Sequence, residues 1–385
     1  MKIPFPKVSG GKDHLLVISQ VPPPVHGSTV MTEVFLGSLD RLGLDWTLVD
    51  RRFSTRIDEV GTVTIRKALA ALGLIGRLTK AIVNKNPTAI VFFCTTRTFS
   101  FLMDWMLSEI IMITRIPLVN YIHTEGYRHL ADKNLFLRFM VRRMLGGASQ
   151  TVCLGPSLYA DVSRWVARET VTFIANTPLG VHEVSDEPER TPRRVTFLSN
   201  FIPGKGIDIF LQVAIALAAK YPDLVFDVVG AAVDKDQDSR VRSVVSDAGV
   251  SERFNFAGAV YGAEKWKYLQ ESALLVFPSH SSEAQPLTII EAFACATPVA
   301  AFAIGGIVDL IDDGQNGLLV ESVSHHAMLE AVDMLLAAPH LLNLFGKQAA
   351  SDFAQRYSHE TYQLQWSKVL TKCGLPAATD SSHAG

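Results

Sequence analysis

The chain has 385 residues, 48% of them hydrophobic and 19% charged, which predicts two domains and excludes a fibrous or largely disordered protein. The formal net charge of −2 conceals an asymmetry: residues 1–180 carry 21 Lys and Arg against 13 Asp and Glu, and residues 181–385 carry 15 against 25. A basic front half of this kind suits an anionic partner such as nucleic acid, a membrane surface or a phosphate-bearing substrate.

From His14 onward, short apolar runs alternate with amphipathic stretches. HLLVIS is followed by a helical run to Leu44, then DWTLVD, a helical run from Val63 to Asn84, and AIVFFC. PLVNYI, TVCL and VTFIA continue the series. This rhythm predicts repeated βα units, hence a parallel sheet covered by helices. The longest apolar candidate, Phe99 to Ile122, is broken by Asp104, Glu109, Arg115 and Pro117, and charges at that density are costly in a spanning helix. Residues 1–182 form the expected first domain. Two of its stretches, Arg66 to Lys85 and Arg128 to Arg143, are basic and amphipathic; each reads either as a helix packed on the sheet or as a surface for an anionic membrane.

Residues 183–194, polar and with two prolines, read as a linker. RVTFLS, LVFDVVG, ALLVFP and PVAAF then repeat the strand–helix rhythm over 195–357, predicting a second doubly wound α/β domain. An amphipathic helix over 358–373, expected to pack back toward the first domain, and a disordered tail over 374–385 complete the chain. The four cysteines are far apart, without zinc or disulfide spacing, and the first eleven residues lack the pattern of a secretory signal. A cytoplasmic location is expected.

Several chemistries are excluded by their missing motifs. The turn after the first strand, SQVPPPVHGSTV, has no GxGxxG, which disfavours a dehydrogenase. Around Gly204, Lys205 and Gly206, Ser199 and Gly206 stand where a Walker loop needs Gly and Ser or Thr. Asp234, Asp236 and Asp238 fail as a calcium loop, with Ser239 at the turn glycine and Val245 at the bidentate glutamate, and read as a solvated loop.

The positive signal is the segment from Pro278 to Val320. Glu283 and Glu291 flank a helix start near Pro286, and proline is favoured there because its missing N–H would have had no helical partner. The amides of Leu287 and Thr288 then point out of a positive helix end suited to phosphate. The two carboxylates either accept hydrogen bonds from sugar or ribose hydroxyls or simply complement the helix dipole and form surface pairs.

With its E-x7-E segment, ACATPVAA, Gly305 and Gly306, and DGQNGLLV, the chain resembles the retaining glycosyltransferases of family 4. That resemblance implies the GT-B fold, two Rossmann-like domains facing across a cleft. It also implies transfer of a hexose from a UDP- or GDP-sugar to a sugar hydroxyl of a lipid-linked polysaccharide or lipopolysaccharide precursor, with no metal and no other cofactor. By the same resemblance Glu283 approaches donor-sugar hydroxyls, Glu291 binds the ribose and Lys205 neutralises the leaving diphosphate. Asn200 stands where the family usually has arginine, and Arg193 or Arg194 is a candidate to compensate. Gly27, in the loop from Pro22 to Ser28, is implied to let a phosphate approach the backbone. His123, at the carboxyl edge of PLVNYI, is implied to line the sugar pocket. Gln285 is placed toward the sugar, Gly230 and Tyr261 toward the base, and Ser157 and Asn176 on the cleft side. The expected partners are donor, saccharide acceptor and an anionic surface at the inner face of the cell membrane, with no nucleic acid. A non-catalytic nucleotide-sugar or polyanion-binding protein and a GT-B epimerase are the competing readings.

Overall fold

The computed structural model describes residues 13–22, 27–51, 65–180 and 194–377. The chain divides into two compact units, Met1–Ala175 with His359–Gly385, and Asn176–Ser358.

The first unit alternates strands and helices: β1 (His14–Ser19), α1 (Gly27–Arg41), β2 (Asp45–Asp50), α2 (Ile65–Lys85), β3 (Ala89–Cys94), α3 (Thr98–Thr114), β4 (Leu118–Ile122), α4 (Tyr127–Asp132), α5 (Leu135–Gly146), β5 (Gln150–Cys153), α6 (Pro156–Val162) and β6 (Val171–Phe173). The six strands pair in parallel in the order β2-β1-β3-β4-β5-β6. Every residue of β1, β3 and β4 is buried, because helices cover both faces of such a sheet and the strands need continuous apolar runs. Strand order reverses between β1 and β3.

The second unit repeats the plan with β7 (Arg194–Leu198), α7 (Ile207–Lys220), β8 (Val225–Val229), α8 (Lys235–Asp247), β9 (Phe254–Gly258), α9 (Gly262–Glu271), β10 (Leu274–Phe277), α10 (Leu287–Ala294), β11 (Val299–Phe302), β12 (Gly317–Val320), α11 (His325–Ala337) and α12 (Pro339–Asp352). Its parallel order is β12-β11-β10-β7-β8-β9, with the reversal between β7 and β10. Both units are therefore Rossmann-like. The final helix, α13 (His359–Lys372), belongs to the first unit, where Trp366 is fully buried with its ring 4.5 Å from Phe35 and 4.9 Å from Tyr121.

Several local expectations are corrected. The unit boundary lies at Ala175, ahead of residue 182, because Asn176 is hydrogen-bonded to Gln285 inside the second unit. Arg194, assigned to the linker, opens β7 and holds the buried Asp227 at 2.8 Å; residues 183–193 lie outside the described residues. The acidic run reads as helix rather than loop: Asp234 caps α8 by accepting the Gln237 N–H at 2.7 Å, and Asp236 and Asp238 fall in the first turn, where negative charge is favoured. Arg128 to Arg143 is two helices, since Asn134 is extended and caps α5 through the Leu137 N–H at 2.8 Å. The expected disordered tail starts too early: Gly374 and Leu375 donate to the carbonyls of Thr371 and Leu370, a Schellman cap with Leu375 buried. Residues 378–385 of that tail lie outside the described residues. Among the described residues no single helix is long and apolar enough to cross a membrane.

Candidate functional site

The second unit's site is built where strand order reverses, at the carboxyl ends of β7 and β10. In open α/β sheets, ligands bind outside the strand ends at such a reversal. The chain leaving β7 carries Lys205, and the chain leaving β10 carries Glu283. The two loops are stitched together: the Gly204 carbonyl accepts the His280 N–H at 2.8 Å and the Ser281 N–H at 3.2 Å. Gly206 has φ +82°, and a Cβ there would lie 2.0 Å from the Pro278 carbonyl oxygen, so only glycine allows the approach.

This stitching brings the Lys205 ammonium onto Glu283 Oε1. The Ser279 hydroxyl donates to the same oxygen at 2.7 Å, and the Gly306 N–H donates to the Glu283 carbonyl at 2.6 Å. The Glu283 side chain keeps 12% exposure and Lys205 27%. A carboxylate and an ammonium, both fixed and both reachable from solvent, can accept from a hydroxyl and neutralise an anion.

Glu291 lies inside α10, buried, and its Oε1 accepts from Lys265 Nζ at 2.5 Å. Lys265 sits in the first half of α9, behind the exposed Tyr261 that precedes this helix. Leu287 and Thr288 are the first two residues of α10 after Pro286, the position at which backbone N–H groups lack intrahelical acceptors.

Other expectations resolve differently. The Gln285 side-chain oxygen is occupied by the Asn176 N–H at 2.6 Å, and Asn176 Nδ2 donates to the Gln285 carbonyl at 3.0 Å. Gln285 thus clamps residue 176 through its side-chain oxygen and its backbone carbonyl. Asn200 Oδ1 accepts the Ala231 N–H at 3.0 Å, tying the β7 and β8 loops. Gly230, with φ +150°, is dictated by packing, since a Cβ would lie 1.9 Å from the Ser199 carbonyl oxygen. Arg194 cannot stand in for an arginine at position 200, because it lies at the opposite end of β7; Arg193 lies outside the described residues.

In the first unit, His123 follows β4 and is nearly buried, stacked on Phe93 at 5.1 Å and tilted against Tyr121 at 3.9 Å. Its Nε2 has no hydrogen-bond partner among the described residues. Burial, reinforced by the positive charge of Arg51, lowers its pKa to about 3, so the ring is neutral at physiological pH. Arg51 is paired with Asp104 at 2.5 Å, and Asp104 also accepts the Thr95 N–H at 2.9 Å. Burial raises Asp104 to about 6, against the pull of Arg51. Gly27 opens α1, and a Cβ there would meet no atom within 4 Å, so nothing in the described protein itself demands glycine. Pro23 to His26 of that loop lie outside the described residues.

Ser279, Lys265 and the Arg51–Asp104 pair were missed by sequence reasoning. Lys265 had one available signal, its place four residues after Tyr261 on a helix start.

Residues 182–352 match the family model described as "Glycosyl transferases group 1". An exopolysaccharide phosphotransferase of Streptomyces coelicolor is 26% identical over 47% of this chain and 19% of its own length. A poly(ribitol-phosphate) alpha-N-acetylglucosaminyltransferase of Staphylococcus aureus is 29% identical over 46% of this chain and 35% of its own. The chain thus spans less than half the length of these curated relatives. Among solved structures, HepE of Anabaena in complex with UDP and glucose superposes with a TM-score of 0.67 at 17% identity, covering 93% of this chain and 99% of that one. Residues 182–352 are therefore similar to a glycosyl transferases group 1 domain, and the chain has the GT-B fold.

Proposed function

We propose that the protein is a retaining glycosyltransferase of family 4 type, moving a hexose from a UDP- or GDP-sugar to a sugar hydroxyl of a lipid-linked polysaccharide or lipopolysaccharide precursor at the inner face of the cell membrane. The observation that carries this reading is the pairing of Lys205 with Glu283 across the strand reversal. Support for the donor class comes from the group 1 match and from the UDP and glucose held by the Anabaena neighbour.

In this reading the donor diphosphate takes Lys205 from Glu283 and lies against the Leu287 and Thr288 amides. Positive charge placed where negative charge grows lowers the barrier, so no metal is required. Glu283, freed from its lysine, accepts from donor-sugar hydroxyls, and Glu291 accepts from the ribose, with Gly230 and Tyr261 toward the base. His123, as a neutral ring, lines the sugar side. The bond from C1 to the diphosphate oxygen breaks, the acceptor oxygen bonds C1 on the same face, and its proton passes to the leaving phosphate oxygen. The nucleotide diphosphate departs.

The test is incubation of the full chain with UDP- and GDP-sugars and a saccharide acceptor, with and without EDTA, followed by product analysis. Transfer that survives EDTA and falls at least about 100-fold in Glu283→Gln and Lys205→Ala, in line with losing one charge-stabilising group, is the expected result. Donor binding without turnover would instead assign a binding protein, and donor conversion without acceptor an epimerase.

A further inference from the structure

The first unit carries a second surface, on the outer faces of helices α3 and α5, which run back from the carboxyl edge of the sheet to its amino edge. Helices α3 and α5 lie side by side, joined by the edge-to-face rings of Trp105 and Phe136 at 6.4 Å and by Arg143 gripping Glu109 at 3.0 to 3.2 Å. Leu102, Met106 and Ile113 share one stripe of α3 at helical spacing, and Leu135, Phe136 and Phe139 share the outer face of α5. All six are exposed, Leu135 by 78%, Phe136 by 61% and Phe139 by 56%. The opposite face of α5 supplies the core with Met140, Val141, Met144 and Leu145. Packing onto the sheet therefore does not account for the outer residues.

Along α5 the outer face changes from apolar to basic. Phe139 and Arg142 are followed by a pocket of about 480 Å³ that Arg143, Arg164 and Trp165 also line. This pocket lies where α5 ends and before β5 begins, at the amino edge of the sheet, away from His123 and Gly27 at the carboxyl edge. Residues 128–143 hold five Lys and Arg against the single Asp132. Glu109 neutralises Arg143, and Asp132 stands 3.6 Å from Arg138 and 3.8 Å from Arg164. Among the described residues no carboxylate pairs with Arg142.

We infer that this face docks on an anionic phospholipid bilayer, with Leu135, Phe136 and Phe139 inserted below the headgroups and Arg142 with Arg164 holding a lipid phosphate in the pocket. Exposed apolar patches on soluble folds mark interaction sites. A positive rim selects anionic lipid over a second copy of this equally basic face. Shallow apolar insertion together with clustered cations is what binds a helix at an interface, where neither alone is strong. The inference does not depend on the transfer reading, since it uses neither Lys205 nor Glu283.

The test is sedimentation of the full chain with vesicles of phosphatidylcholine, and of phosphatidylcholine with phosphatidylglycerol, at low and high salt. Binding to the anionic vesicles, at least tenfold weaker for neutral ones and weakened by salt, is expected. The double variant Phe136→Ser, Phe139→Ser and the separate double variant Arg142→Glu, Arg164→Glu each lower that binding at least tenfold. All four positions are at the surface, so both variants keep the fold and donor binding of the parent, with only a small fall in melting temperature where the Phe136 ring leaves Trp105. Absence of binding at low salt, equal binding to neutral vesicles, or binding unchanged in both variants overturns the proposal. A dimer in light scattering that the phenylalanine variant breaks would assign the face to a second copy and overturn it as well.

Discussion

Lys265 and Glu291 form an ion pair of 2.5 Å in which the carboxylate is buried and the ammonium is reached only partly by solvent. The carboxylate lies within α10, so its orientation depends on a lysine from the neighbouring helix α9. Replacing Lys265 by Met leaves a buried charge without a partner, an error that costs about 3–5 kcal/mol when the pair is fully buried and less here, where Lys265 is part exposed. The expected outcome for Lys265→Met is a lower melting temperature and a KM for nucleotide-sugar raised about tenfold with a smaller change in kcat, while Lys265→Arg recovers most of both. A fall in kcat alone would place Lys265 elsewhere in the reaction.

Gly306 donates its N–H to the Glu283 carbonyl, and a Cβ on it would stand 1.8 Å from the Ala284 carbonyl oxygen. The clash is with backbone, which cannot swing aside. Gly306→Ala must displace the loop that aims Glu283, with an overpacking cost of about 1–3 kcal/mol. Donor turnover at least 100-fold below the parent, with the second unit still folded by circular dichroism, is the expected outcome. Near-normal turnover would show that the Glu283 loop tolerates the shift.

The doubly wound layout was legible because its strands are buried on both faces: HLLVIS and AIVFFC are apolar runs too short for a buried helix and alternate regularly with amphipathic stretches. The places of Glu283 in the loop after β10, Glu291 inside α10 and Lys205 just before α7 were legible because strand, loop and helix start are local features. What was not legible depends on neighbours distant in sequence. Asn200 read as a missing arginine, whereas it accepts the Ala231 amide one strand away. Gln285 read as a sugar contact, whereas Asn176, 109 residues earlier, takes its oxygen. The two acceptors are spent on the backbone of other segments, and no spacing within one segment encodes that.

His123 offers a pH test. Its folded-state pKa is lowered to about 3, from 6.5, by burial and by Arg51. A basic group depressed in this way binds fewer protons folded than unfolded, so stability is complete above pH 6.5 and is lost as pH falls toward 3. Near pH 5.5 the loss is about 1.4 kcal/mol, one unit of protonation free energy. Asp104, raised from 3.8 to about 6, acts in the opposite sense, gaining stability as pH falls through 6. The His123→Phe variant, which keeps the ring stack, isolates the first effect. Its melting temperature relative to the parent rises as pH is lowered from 7 to 5. A constant difference over that range would mean that His123 titrates normally in the folded protein.

The last prediction concerns the return of the chain to its first unit. Trp366 fills the space between Phe35 and Tyr121 and is fully buried, and the Tyr362 hydroxyl lies 3.4 Å from that of Tyr121. More than 180 residues of a separate unit intervene between β6 and α13, so the helix completes a core whose other parts are made long before it. Truncating a buried aromatic of this size costs about 3–5 kcal/mol. Calorimetry of Trp366→Ala is expected to lower the unfolding transition of the first unit while leaving that of the second in place, and near-parent nucleotide-sugar binding by the second unit serves as the control. Equal destabilisation of both transitions would mean that the two units unfold as one and that α13 supports more than the sheet it covers.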